Sequence, residues 1–259
     1  CVENGIDEKT ANKIYDEMID FAKYAFNKSH AAAYAVVSYE TAWLKYYYPV
    51  EFMAALMTSV IDNPGKVAEY IYTCKEMGIK LLPPDINKGY GNFSVDGGDI
   101  RYGLAAIKSI GRSVIDDIIR EREAGGEFKN LRDFAERMSG KDINKRTVEN
   151  FIKAGAFDCF TGTRKQHMMV YLKILDQINQ EKKYSMAGQM SLFDIVDEDQ
   201  RKEFDIQFPD VGEYEKETML AFEKEVLGVY VSGHPLEEYE ERWKKAITAT
   251  THDFQYDDE

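Results

Sequence analysis

The sequence is poor in cysteine, which argues against a fold held together by disulfides. It contains only Cys1, Cys74 and Cys159, and no pair has C-x-x-C spacing. An odd, scattered set of thiols is typical of a reducing compartment, so the sequence predicts a cytoplasmic protein. The four histidines lie far apart, with no cysteine at metal-ligand spacing beside them, and we therefore expect no zinc site.

The chain also lacks any apolar run near the ~18 residues that would span a bilayer, so we expect no membrane contact. Residues 1–4 contain neither an initiator Met nor the start of a signal peptide, and we expect the chain to be cut from something longer. Hydrophobic residues make up 44% of the 259, enough for a packed core rather than a disordered chain.

Acidic residues dominate, with a net charge of −13, but they are unevenly distributed. Residues 185–259 hold 20 acidic and 7 basic side chains, which accounts for the whole excess. Residues 100–155 hold 12 basic and 9 acidic side chains. Because screening limits the reach of a charge to about 8–10 Å, this basic stretch is the region predicted to meet phosphate.

Helical spacing of apolar residues prevails, and the sequence predicts a mainly α fold. Helices are expected over 6–27, from a Ser29 cap to Tyr48, and from Pro49, Pro64 and Arg164 onward. The helix ending at Tyr48 is apolar on most sides, so we expect it to be buried. Residues 96–99 (DGGD) predict a small β-hairpin, residues 183–215 a flexible acidic linker, and residues 226–231 a strand or a buried turn. No repeat of period 20–50 is recognisable.

A helix-hairpin-helix pattern occurs at 107–118, where a short apolar helix, a tight turn and a second helix follow one another. Such a turn aims backbone N–H groups at a phosphate. Gly111 permits close approach and a positive φ, and Lys108 and Arg112 are expected to add charge without reading sequence. Ser109 replaces the usual first glycine, and a plain helical packing corner is the alternative. The predicted DNA contacts are Lys108, Ser109, Ile110, Gly111, Arg112 and Ser113.

A second phosphate-binding element is predicted at Asn144, Lys145 and Arg146. Asn144 can cap a helix whose first turn carries both cations, although cations there oppose the helix dipole. A phosphate between them would explain this placement, and a solvated helix start is the alternative. Paired elements of this kind could grip a duplex backbone at two places.

Two further segments suggest contacts. A helix start is predicted at Asn27, Lys28, Ser29 and His30. It could bind phosphate of an incoming nucleotide or of the template, and the alternative is that these residues only cap and pack the helix. Gln189, Met190, Ser191, Leu192 and Phe193 place apolar side chains inside the acidic linker, where no core is available. Exposed apolar clusters of this kind mark partner sites, with local packing as the alternative.

Acidic pairs that could hold catalytic metal ions are found only in poor settings. Asp96 and Asp99 flank a hairpin turn, residues 197–199 lie in the linker, and residues 257–258 lie near the last residue. Two-metal phosphoryl transfer requires carboxylates on rigid backbone, so we predict no catalytic residue and no metal in this chain.

Six segments, in this order along the chain, resemble the alpha subunit of bacterial DNA polymerase III, the C-family replicative polymerase. They are 26–45 (FNKSHAAAYAVVSYETAWLK), 48–55 (YPVEFMAA), 82–87 (LPPDIN), 102–108 (YGLAAIK), 152–158 (IKAGAFD) and 227–236 (LGVYVSGHPL). The resemblance covers nearly all of the chain.

The resemblance implies a domain order. Residues 1–80 would be the C-terminal part of the polymerase fingers, 81–160 a tandem helix-hairpin-helix domain that binds duplex, and 161–182 a connecting helix. Residues 183–215 would be the linker carrying a peptide for the ring-shaped sliding clamp (the beta subunit), and 216–259 would lead to an OB-fold outside the chain.

The resemblance also implies function. The partners would be double-stranded primer-template DNA, the sliding clamp and the remaining polymerase domains, in a bacterial cytoplasm. The family's palm aspartates, which hold Mg²⁺, precede this section, so the isolated chain should be inactive. A non-enzymatic, clamp-associated DNA-binding adaptor is the alternative, but it leaves the apolar helix ending at Tyr48 unexplained. A repair enzyme is a third, and it would need a catalytic cluster that the sequence does not offer.

Overall fold

The structure is a computed structural model that describes residues 1–24, 28–186 and 207–249. It divides into two compact units, Cys1–Pro49 and Val50–Glu259. The first unit consists of a 3-10 turn (Val2–Asn4) and two helices, α1 (Glu8–Tyr24) and α2 (Lys28–Tyr47). Asp7 caps α1, since its carboxylate accepts from the Thr10 N–H at 3.0 Å and from the Thr10 hydroxyl at 2.6 Å. Both predicted helices are confirmed.

The prediction that α2 is buried is wrong for this unit taken by itself, because none of its residues is buried. Its exposed large side chains include Tyr34, Val36, Val37, Tyr39, Trp43, Leu44, Tyr46 and Tyr47. Only local ring contacts cover them, such as Trp43 against Tyr47 at 4.9 Å. Ser29 also cannot be the N-cap, since α2 already includes Lys28.

The second unit contains most of α3 (Pro49–Ser59) and all later elements. The helices are α4 (Pro64–Glu76), α5 (Arg112–Gly125), α6 (Leu131–Arg137), α7 (Lys145–Ala154), α8 (Arg164–Met186), α9 (Lys216–Leu227) and α10 (Glu240–Ala246), with short 3-10 helices at Leu104–Ala106 and Glu237–Tyr239. The mainly α prediction is confirmed. Among the described residues, no helix combines the length and apolar character needed to cross a bilayer.

A small three-stranded sheet interrupts the helices. Strand β1 (Leu81–Leu82) pairs in parallel with β3 (Asp99–Arg101), and β2 (Ser94–Asp96) pairs with β3 in antiparallel register. The predicted hairpin is confirmed: Gly97 and Gly98 both have positive φ, 63° and 93°, which side chains other than glycine rarely adopt.

The core of the second unit lies under the helices that follow this sheet. Phe134 of α6 contacts the rings of Phe128, Phe151 and Phe157 at centroid separations of 5.0 to 6.2 Å. All four rings are at most 2% exposed, and burial of each contributes about 2–3 kcal/mol to the free energy of unfolding. This aromatic cluster fixes α6 and α7 on one core.

Residues 207–215, which precede α9, contact the start of α8. The Glu213 carboxylate accepts from the N–H groups of Arg164 and Lys165, at 2.8 and 3.1 Å, and so caps α8. The predicted linker, 183–215, is therefore described only at its ends, where α8 continues to Met186 and residues 207–215 contact α8.

A buried ion pair holds α9 in place. Arg164 pairs with Glu223, which is fully buried, at 3.2 Å. The second Glu223 oxygen accepts from the N–H groups of Val231 and Ser232, at 2.9 and 3.0 Å. Of the two predictions for 226–231, the strand is wrong and the buried turn is confirmed: α9 runs to Leu227, and Gly228 ends it with φ 76°.

Candidate nucleic-acid interface

The first predicted phosphate-binding turn lies on the surface between the 3-10 helix Leu104–Ala106 and α5. Ser109, Gly111, Arg112 and Ser113 are exposed, and Ile110 is half-buried against the core. Ser109 is the only non-glycine residue in the described parts of the chain with a positive φ, 64°. Gly111 does not use the positive φ that glycine permits, since its φ is −73° and its ψ 147°. The left-handed step occurs at the position where Ser109 replaces glycine.

Gly111 matters for the space around the turn rather than for its φ. A Cβ built there would meet only the Ser113 hydroxyl, at 3.6 Å, so the protein itself does not require glycine. Gly111 is the N-cap of α5, and no side chain caps that helix. The first turn of α5 thus presents its backbone N–H groups without a covering side chain, beside the exposed Arg112.

Lys108 is exposed, and both its side chain and its backbone N–H are bonded to α9. Its Nζ donates to the carbonyl of Glu225 at 2.7 Å, and its backbone N–H donates to the carbonyl of Val226 at 2.9 Å. Both acceptors lie in the last turn of α9, where carbonyls lack helical partners and attract cations. Lys108 therefore caps the C-terminal end of α9, and its role as a DNA contact stays a prediction.

The second predicted turn is also on the surface, and Asn144, Lys145 and Arg146 are all exposed. The prediction that Asn144 caps a helix is confirmed, because its Oδ1 accepts from the Thr147 N–H at 3.0 Å. Lys145 forms an ion pair with Asp176 of α8 at 2.8 Å. Asp176 thus places a negative charge beside this helix start, and contact with phosphate stays a prediction.

The two turns enter their helices in the same way. Ile110 precedes the Gly111 cap and Ile143 precedes the Asn144 cap, and both isoleucines pack against the core. Four and seven residues after each cap the side chains are again buried: Ile115 and Ile118 in α5, Val148 and Phe151 in α7. This repeat was not predicted from the sequence, because apart from the isoleucine before each cap its members share burial rather than identity.

A cavity of about 210 Å³ lies beside the second turn, lined in part by Gly140, Asn144, Lys145 and Asn179. Pockets for small molecules usually enclose about 300–1,000 Å³. This cavity beside the second turn is therefore smaller than the usual pocket for a small molecule.

The remaining predicted residues lie elsewhere or outside the described residues. Lys28 is exposed in the first turn of α2, and the His30 ring contacts Tyr34 at 4.4 Å. Asn27 lies outside the described residues, as do Gln189, Met190, Ser191, Leu192 and Phe193.

The acidic pair beside the β-hairpin has structural partners. Asp96 accepts from Arg101 Nε at 2.7 Å, and Asp99 accepts from the Lys80 N–H at 3.0 Å. Across residues 1–24, 28–186 and 207–249, no group of three or more His, Cys, Asp or Glu side chains is placed to hold a metal ion.

Sequence reasoning missed one residue at this interface. Asn150 of α7 is 7% exposed, and its Nδ2 donates to the carbonyl of Lys108 at 2.8 Å. Helical spacing places Asn150 on the apolar face of α7. A buried amide needs a hydrogen-bond partner, so this position could have been recognised from the sequence.

Comparison with known proteins gives a consistent result. A family model described as a helix-hairpin-helix motif matches residues 78–167. The chain is 43% identical to the DNA polymerase III subunit alpha of Vibrio cholerae over 238 residues, which cover 92% of this chain and 20% of that protein. It is 42% identical to the corresponding subunits of Thermus aquaticus, over 92% of this chain and 19% of the relative, and of Escherichia coli K12, over 92% and 20%. The chain spans about one fifth of the length of these curated relatives.

Proposed function

We propose that the chain is the part of a DNA polymerase III alpha subunit that holds duplex DNA by the phosphate backbone. Its sequence similarity to one section of such subunits supports this proposal. The helix-hairpin-helix match over 78–167 includes both surface turns. Primer-template duplex is the partner that this arrangement suits.

The observation that carries the proposal is the pair of exposed arginines at the two helix starts. Arg112 stands in the first turn of α5 and Arg146 in the first turn of α7. Neither forms an ion pair with any described residue, whereas Lys108 and Lys145 are engaged by α9 and Asp176. Guanidinium groups beside helix N-termini suit the oxygens of phosphate and carry no base readout.

The test is duplex binding by fluorescence anisotropy over a series of salt concentrations. Arg112→Ala and Arg146→Ala should each weaken binding by a similar factor for unrelated sequences, and each should flatten the log–log salt dependence by roughly one unit. Arg120→Ala is the matched control, because Arg120 is an exposed arginine further along α5 that already pairs with Asp117 at 2.9 Å. Sequence-dependent losses would contradict backbone contact.

We propose that the full-length protein performs template-directed DNA synthesis, with Mg²⁺ at palm carboxylates outside this chain. The names of the relatives support this proposal. The isolated chain, given magnesium, nucleotides and a primed template, should extend no primer. The double variant Arg112→Ala, Arg146→Ala sets the background of the assay. Primer extension above that background would contradict the proposal that the catalytic carboxylates lie outside this chain.

We propose that residues 189–193 bind the sliding clamp. Support comes from the sequence QMSLF within an acidic stretch, where Leu192 and Phe193 can enter an apolar pocket and Gln189 can bond at its rim. Changing Gln189, Leu192 and Phe193 to Ala should abolish clamp binding measured by surface plasmon resonance. Changing the neighbouring Ile195 and Val196 to Ala, the matched control, should leave it intact.

We propose that α2 packs on other sections of the polymerase in the bacterial cytoplasm, because its aromatic side chains have no cover within the first unit. Trp43 is 41% exposed, and Trp243 can be changed to Phe so that Trp43 reports alone. In the longer polymerase, Trp43 emission should shift to the blue and resist quenching by acrylamide. Equal quenching in the short and long proteins would contradict this packing.

We propose that Asn27, Lys28, Ser29 and His30 lie near the incoming nucleotide or the template. Support comes from the exposed cation of Lys28 at the start of α2. In the full-length polymerase, Lys28→Ala should raise the KM for nucleotides or template more than it lowers kcat, and Lys45→Ala, at the far end of α2, should do neither.

A further inference from the structure

We propose that Asn150 is a positioning residue that couples the two phosphate-binding turns by holding the first turn from the helix of the second. The inference rests on the proposed binding of duplex at both turns. Asn150 itself is not placed to contact DNA, because it is only 7% exposed.

The hydrogen bond from Asn150 is made directly before the left-handed residue of the first turn, Ser109. Asn150 Nδ2 donates to the carbonyl of Lys108 at 2.8 Å. That carbonyl shares a planar peptide unit with the N–H of Ser109, the residue with φ 64°. Holding the carbonyl therefore fixes the plane from which the left-handed step begins.

The preceding peptide unit, which contains the Lys108 N–H, is held by α9. The Lys108 N–H donates to Val226, and its Nζ donates to Glu225. A serine in the left-handed region costs free energy and persists only where surrounding contacts determine it. Asn150 and α9 are those contacts, so the turn keeps a shape that Ser109 by itself would not favour.

The coupling follows from what α7 carries. Asn150 and Arg146 belong to one helix, so the bond to Lys108 ties the first turn to the helix that starts at the second. A duplex backbone presents phosphates at fixed spacing, and simultaneous contact at two turns strengthens binding only when their separation matches it. Holding this carbonyl requires a donor at position 150, and leucine offers none, so Asn150→Leu would remove the hydrogen bond to Lys108.

The test is a pair of double-mutant cycles on duplex affinity. In the wild type, Arg112→Ala should weaken binding by about tenfold, as expected for a charge-assisted contact. In an Asn150→Leu background the effect of Arg112→Ala should fall below about threefold, while the effect of Arg146→Ala keeps its wild-type size. A general loss of folding would reduce both effects together and would not separate them.

Asn87→Leu is the matched control. Asn87 Nδ2 also donates to a backbone carbonyl at 2.8 Å, that of Phe128, which belongs to the segment between α5 and α6 and to neither turn. In that background both arginine effects should be as in the wild type. Should Asn150→Leu fail to fold, Asn150→Ser, whose hydroxyl is too short to reach the carbonyl, replaces it.

An Arg112→Ala effect of equal size with and without Asn150 would overturn the inference and leave the proposed function standing. If Arg112→Ala and Arg146→Ala have no effect even in the wild type, the proposed function itself fails.

Discussion

Lys145 Nζ lies 2.8 Å from Asp176 Oδ1, in an ion pair whose two side chains are each 55% exposed. Exposed pairs contribute less than about 1 kcal/mol to stability, so a phosphate could take Lys145 from Asp176 at little cost. We therefore expect the acidic partner on α8 to compete with phosphate for this cation.

Asp176→Asn should strengthen duplex binding, by about twofold to fivefold at low salt, and should steepen the salt dependence by up to one unit, since Lys145 is released. The change can be measured by anisotropy titration. Asp117→Asn, which removes an equal charge from the Arg120 pair on α5, is the control for overall charge. Equal gains for both variants would mean that Lys145 does not meet phosphate.

Ser109→Gly should stabilise the protein by up to about 1 kcal/mol, because glycine adopts the left-handed region without steric cost, offset by the entropy glycine loses on folding. Ser109→Val should destabilise it by about 1–3 kcal/mol, because a β-branched residue at φ 64° is strained. Urea denaturation of the two variants provides the measurement. A stabilising valine would contradict the left-handed conformation of this turn.

Gly111→Ala should change the free energy of unfolding by less than about 1 kcal/mol, since φ −73° suits alanine and the added Cβ meets only Ser113. Duplex binding should nevertheless weaken several-fold, because the methyl group would stand where the phosphate approaches the N–H groups of α5. Gly212→Ala, where a Cβ also finds open space, is the matched control for anisotropy. Unchanged binding in Gly111→Ala would place the phosphate elsewhere.

Stability should fall as the pH drops below the ordinary His pKa of 6.5, because burial lowers the pKa of His167. His167 is 1% exposed, and its Nε2 lies 3.0 Å from the Thr161 carbonyl. A lowered pKa means that the unfolded chain binds the proton first. The contribution of neutral His167 to the free energy of unfolding is therefore fully present above pH 6.5, and it is lost as the pH falls toward the lowered pKa of the folded state.

Chemical denaturation from pH 7.5 to pH 5 provides the measurement. His167→Gln should show a weaker dependence on pH than the wild type, whatever its stability at neutral pH. His30→Gln, which changes a histidine of the first unit, serves as the control. An identical slope in wild type and His167→Gln would contradict the assignment to His167.

Much of the fold was predictable because it depends on local chemistry. Pro49 and Pro64 mark helix starts, Asn144 offers a cap, and the Asp-Gly-Gly-Asp turn fits two residues with positive φ. These signals act within a few residues, so a reading of neighbours is sufficient.

The candidate site was predictable as two stretches of chain and not as an arrangement. The residues at Ser109 and Asn144 could be recognised as helix starts, and both lie on the surface as expected. The partners of Lys108 and Lys145 could not be predicted. Glu225 and Asp176, which bind these two lysines, come from distant parts of the chain.

By itself, the sequence determined where the helices begin, which residues could cap them, and where charge is concentrated, since each of these depends on spacing and residue type. Only the tertiary structure decided that Ser109 rather than Gly111 takes the left-handed step, that Lys108 caps α9, and that Asn150 meets the Lys108 carbonyl. The physical reason is that a hydrogen bond or ion pair is satisfied by whichever partner the packed helices bring within about 3 Å, and that partner need not be near in sequence.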